Sequence, residues 1–144
     1  MAATREQIMQ ALFALVSGSA SFITASRRLR LWTDVPASER PAIFQYERDD
    51  TYTLGQQYTQ RVEMNVDLYI YTAPGNDSGV IPISILNPLV DAVDAALKPS
   101  IVTRRQTLGG LVSHCYIDGK IMKDPGDIDG DGIAVIPVKI LATV

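Results

Sequence analysis

The feature that most limits what this chain can fold into is a run of alternating side chains between Arg61 and Tyr71. Val62, Met64, Val66, Leu68 and Ile70 fall on one side of an extended backbone, while Arg61, Glu63, Asn65, Asp67, Tyr69 and Tyr71 fall on the other. Side chains of a strand point to opposite faces in turn, so this pattern demands a long strand with one buried face. Pro74-Gly75-Asn76-Asp77 ends it in a turn. A strand of this kind needs neighbours on both sides and a layer of apolar side chains against its buried face.

Two stretches with helical period can supply that layer. Thr4 followed three residues later by Gln7 is a capping-box pattern, and Ile8, Leu12, Leu15 and Val16 follow at intervals of three and four. Gly18 stops this helix, which is expected over about Thr4 to Ser17. Ile83, Leu86, Val90, Val93 and Leu97 mark a second amphipathic helix, with Pro82 in its first turn, Pro88 as a kink or restart and Lys98-Pro99 at its end.

The neighbouring strands are expected at Phe22–Trp32, where Leu29 and Leu31 alternate with arginines, at Ala42–Glu47, at Val112–Ile117 and at Ile133–Leu141. Arg48 to Gln57, polar and with Gly55 inside it, reads as an exposed hairpin tip. Asp118-Gly119 reads as a two-residue hairpin returning through Lys120-Ile121-Met122. Strands in consecutive runs punctuated by helices indicate an α+β fold: a mixed, largely antiparallel β-sheet with two amphipathic helices packed on one face. No repeat, linker or low-complexity tract interrupts residues 1–144, which are expected to form a single domain.

Composition narrows the function. The net charge of −3 argues against a protein whose main task is holding nucleic acid, since such domains carry a net basic surface. One cysteine, Cys115, and one histidine, His114, put an internal disulfide and a His/Cys metal cluster out of reach of one chain. No apolar run approaches the ~20 residues that cross a bilayer, so no membrane partner is expected. Ile8–Val16 followed by Ser17-Gly18-Ser19-Ala20 has a signal-peptide outline, but Gln10 interrupts it and Glu6 cancels Arg5. An amphipathic helix fits those residues better.

Asp127-Ile128-Asp129-Gly130-Asp131-Gly132 matches the first half of a calcium loop, with acids at relative positions one, three and five and glycine at six. Where a bidentate glutamate should close the coordination the chain has Val138, so a Gly/Asp-rich turn is expected rather than a metal site. Asp91 and Asp94 lie on the polar side of the second helix, without a nucleophilic or basic partner. In Ser113-His114-Cys115 the side chains alternate across a strand, so His114 is not placed to activate either neighbour. Gly109-Gly110 lacks the Lys-Ser/Thr of a phosphate loop. No catalytic residue and no cofactor are assigned; the chain is expected not to be an enzyme.

Arg27, Arg28 and Arg30, with Arg104 and Arg105, are the main basic clusters. They read either as an exposed sheet face kept soluble by charge or, multiplied around a ring, as a positive lining to a channel. Taken together, the order of these patterns resembles the tail terminator proteins of long-tailed bacteriophages, minor tail proteins of the lambda-like kind. The resemblance is carried by Arg5-Glu6-Gln7-Ile8 through Leu15, by Ser26-Arg27-Arg28-Leu29 with Trp32, Val35-Pro36 and Pro41-Ala42-Ile43-Phe44, and by Val66-Asp67-Leu68-Tyr69-Ile70-Tyr71. Ile117-Asp118-Gly119-Lys120, Asp129-Gly130-Asp131-Gly132 and Ala134 to Ile140 complete it.

The resemblance implies a virion protein of the tail or neck, assembled in the host cytoplasm. It would form a ring, of six copies, that ends the tail tube and joins it to the head connector, with DNA only as cargo passing through the lumen. Its partners would be other copies of itself, the tube protein and a connector or stopper protein. Arg27, Arg28 and Arg30, then Arg48, Asp49, Asp50, Tyr52 and Tyr58, then Lys123, Asp127, Asp129 and Asp131 are the residues expected at lumen or partner interfaces. Alternatives are a head-completion or neck ring protein, a small calcium-binding or hydrolytic domain, and an independent protein-binding module.

Overall fold

A computed structural model describes residues 2–143. Its elements, in chain order, are α1 (Arg5–Ser17), β1 (Thr24–Ser26), β2 (Ala42–Leu54), β3 (Gln60–Thr72), α2 (Ile83–Ala96), β4 (His114–Ile117), β5 (Met122–Asp124) and β6 (Gly132–Thr143). The strands form one mixed, mostly antiparallel sheet in the order β1-β2-β3-β6-β4, with β5 also against β6. Only β1 and β2 are parallel. The fold is α+β, with both helices on one face.

The alternation in β3 does what its side chains require. Val62, Met64, Val66, Leu68 and Ile70 are at most 1% exposed and face the helices, joined there by Ala134, Ile136, Val138, Ile140 and Ala142 of β6. Ile8, Met9, Leu12 and Val16 of α1 and Leu86, Val90 and Val93 of α2 close over them. The capping box forms: Thr4 Oγ1 accepts from the Gln7 amide, and Gln7 Oε1 accepts from the Thr4 amide. Gln45, on the same buried face, reaches α1 by donating from Nε2 to the Met9 carbonyl at 3.0 Å. Helix α2 runs continuously through Pro88.

Three expected elements differ. The Phe22–Trp32 strand shrinks to Thr24–Ser26; beyond it, residues 27–41 fold as a lap with short 3₁₀ turns at Trp32–Asp34 and Ala37–Glu39. This lap covers one end of the sheet's second face, where Val35 packs with Ala42, Phe44 and Tyr71 in a small separate core. Tyr71 is therefore buried, although its place in the alternation suggested solvent. The lap wins over the strand because its carbonyls have an alternative partner in the Arg40 side chain, described below.

The expected Arg48–Gln57 tip is mostly strand. β2 continues to Leu54, and the turn is confined to Gly55–Thr59. Arg48 is an extra residue between the Glu47↔Val66 and Asp49↔Asn65 pairs, a β-bulge. The bulge resets the alternation, so Asp50 and Tyr52 lie on the helix side, opposite Met64 and Val62.

The Asp118-Gly119 hairpin does not form. β4 and β5 both run antiparallel to β6 and pair with it rather than with each other, as one outer strand broken by residues 118–121. The break lies opposite Pro137. The Asp118 amide donates to the Pro137 carbonyl at 3.0 Å, so Pro137 turns its donor-less nitrogen toward this same side. A continuous outer strand would find no N–H there.

Candidate functional site

The residues expected at interfaces fall in three places. Along the outer side of β2, Arg27 forks onto Glu6, with bonds of 2.8 and 3.0 Å, and also pairs with Glu47. These contacts hold the guanidinium in its charged form, and Arg27 in turn lowers the Glu6 carboxyl. Farther along β2, Arg5 Nε donates to Asp50 at 2.7 Å, its guanidinium bonds the Tyr52 hydroxyl, and it lies 5.5 Å from the Tyr52 ring centre. Arg48 lies 3.4 Å from the mostly buried Asp67, and Asp49 accepts from Asn65 Nδ2 at 2.6 Å. Tyr58 is 87% exposed at the turn.

At the sheet end near the lap, Arg30 donates to the Asp34 carbonyl and to Glu39. Here too lies Arg40, which no sequence pattern singles out. It is 7% exposed and donates to the carbonyls of Val35 at 2.9 Å, Thr72 at 2.8 Å and Trp32, and to Asp131 Oδ1 at 2.7 Å. Its guanidinium sits over the Tyr71 ring. An arginine inside an otherwise ordinary Glu39-Arg40-Pro41 triplet leaves no pattern to find; only the folded lap brings its acceptors together.

Arg40 also settles the role of Asp131. Asp129 Oδ1 accepts from the Asp131 amide at 3.0 Å, Gly126 and Gly130 take positive φ, and Asp131 turns inward to the guanidinium. Asp127 stays exposed. Among the described residues, no three His, Cys, Asp or Glu side chains converge as metal ligands. Lys123 is elsewhere, on β5, donating to Asn87 Oδ1 at 3.1 Å. Arg28 is exposed and forms no ion pair among the described residues. With Arg27 and Arg30 both paired to acids, it is the member of that cluster with uncompensated charge.

The groups with chemical potential are held apart. His114 Nδ1 accepts from the Gln106 amide at 3.1 Å, and its ring stacks on Tyr116 with centres 4.7 Å apart. Cys115 is fully buried on the helix face, where desolvation pushes its thiol up to about 12. A thiol in that state is a core side chain, not a nucleophile. What the surface offers instead is apolar side chains at loop tips: Ile101, Val102 and Ile128 are each more than 90% exposed. Compared with known proteins, the chain matches no family model and has no significant match among curated sequences.

Proposed function

We propose that this chain is a non-catalytic structural subunit that assembles as a ring of six copies, ending the tail tube of a long-tailed bacteriophage and joining it to the head connector. The observation that carries this reading is the free outer side of β2. β1 accompanies it only from Ala42 to Phe44, so among the described residues, 45–54 have no strand on that outer side, and Tyr52, Leu54 and Tyr58 stand exposed at that end. Exposed apolar side chains at several separate tips suit a subunit that meets more than one neighbour. The ordered resemblance along the chain supplies the kind of neighbour: other copies, the tube protein and a connector, with DNA passing through the lumen.

The test is to mix purified protein with tail tubes and image the product by negative stain. Rings seated at one end of each tube are expected. Rings found only on the portal side would assign a neck subunit instead, and a protein that joins neither would sink the proposal.

A further inference from the structure

Two features at opposite ends of α2 complement each other and cannot meet within one chain. Just past its C-terminus, Ser100 to Arg105 form a tight turn that lifts Ile101 and Val102 into solvent, 95% and 91% exposed. The turn is closed by the Ser100 amide donating to the Arg105 carbonyl at 3.1 Å and the Arg104 amide donating to the Ser100 carbonyl at 2.7 Å. Ser100 Oγ accepts from the Val102 amide, and Gln106 Nε2 ties the base to the Lys98 carbonyl at the helix end. Arg104 holds φ of 59°, a conformation that favours glycine. A long charged side chain is kept there all the same. The result is a preorganised knob of two β-branched side chains flanked by Arg104 and Arg105.

Just before the N-terminus of α2 lies an open recess of about 360 Å³, whose lining mixes Val80, Ile81 and Pro82 with the polar Asn76 and Ser78 and carries Asp77 and Asp127. No cation lines it. Ile128, 96% exposed, stands next to Asp127 in the chain. Among the described residues, Asp77, Asp127, Arg104 and Arg105 form no ion pair. The knob is thus apolar with a basic rim, the recess a mixed polar and apolar surface with an acidic one, and none of these four charges has an ionic partner among the described residues.

The 14 residues of α2 put the two about 20 Å apart along the helix axis. We propose that the Ser100–Arg105 knob of one copy seats in the Asp77/Asp127 recess of the next. Two different patches then meet, which is the head-to-tail contact that closes rings. This rests on the reading that copies of the chain assemble, and it names the surfaces that join them. Preorganisation of the turn lowers the ordering cost of the contact, and the charged rim selects the pairing.

A chain carrying Ile81→Cys and Val102→Cys tests it directly, since buried Cys115 does not compete for oxidation. Oxidised at high concentration and on tail tubes, it should give a ladder of dimers, trimers and higher species; each single variant, with no thiol facing its own across this contact, should stay monomeric. Adding Arg104→Glu and Arg105→Glu should reduce the ladder about tenfold or more, and further adding Asp77→Lys and Asp127→Lys should restore it. Circular dichroism checks that each variant is folded, which the exposed positions favour. Absence of a ladder, or a ladder indifferent to the charge reversals, overturns the contact. Rings on tubes without a ladder overturn the contact alone, whereas a ladder from a protein that caps no tube overturns the terminator reading and leaves the contact standing.

Discussion

Arg40 Nη1 stands 2.7 Å from Asp131 Oδ1, a contact between residues 91 positions apart that pins three segments at one end of the sheet. The lap, the end of β3 and the Asp127–Asp131 turn all give acceptors to the same buried guanidinium. Arg40→Ala would leave three carbonyls and a carboxylate without their donor. It should destabilise the protein by about 3 kcal/mol, read as a lower urea midpoint at unchanged slope. Asp131→Asn keeps an acceptor and should cost about 1 kcal/mol.

The turn before β6 should tolerate no side chain at Gly126. It holds φ of +95°, and a Cβ there would lie 2.7 to 2.9 Å from the Asp131 backbone. Gly109 also has positive φ, +74°, but faces open space. Gly126→Ala should therefore lose about 2 kcal/mol or more and Gly109→Ala about 1 kcal/mol, compared by thermal melting under the same conditions.

Alkaline pH should weaken the fold through groups whose protonated forms are favoured by burial. The Cys115 thiol rises from about 9 to about 12, and the Tyr69 and Tyr71 phenols rise chiefly by desolvation. The native state then holds protons that the unfolded chain has released, so stability is intact below pH 9 and falls as pH climbs from 9 toward 12. Native protein at pH 8 should resist thiol alkylation, which should become fast on adding denaturant. Rapid alkylation without unfolding would contradict the burial.

The Arg48 bulge should show energetic coupling to Asp67. That carboxylate is only 11% exposed and lies 3.4 Å from Arg48. Arg48→Met should destabilise by about 1 kcal/mol, whereas the same change on an Asp67→Asn background should cost measurably less. A double-mutant cycle by urea unfolding reads the difference.

Much of this architecture was legible in the chain. The alternation from Val62 to Ile70, the spacing of Ile8, Leu12 and Val16 and the Thr4–Gln7 box each carry a period that only one kind of local structure satisfies. The failures share a cause. Leu29 and Leu31 alternate like a strand, yet the backbone there is claimed by Arg40 and by the Tyr71 hydroxyl, which donates to the Arg30 carbonyl at 2.6 Å. Asp118-Gly119 has turn chemistry, but Pro137, about twenty residues later, decides where the outer strand breaks. The expected interface residues were legible as polar and exposed, not as already paired: Arg27 and Asp50 are committed within the chain, and the knob at Ile101–Val102 had only its arginines to advertise it.

The length of β2 that extends beyond β1 has a consequence for the single chain. Along residues 45–54 every second residue turns its N–H and C=O away from β3, an edge that invites fibrillar stacking, yet Glu47, Arg48, Asp49 and Asp50 occupy the middle of that stretch, and the bulge kinks it just there. Charge and bulge together make the single chain a poor template for amyloid, which a flat, uncharged border of the same length would risk becoming.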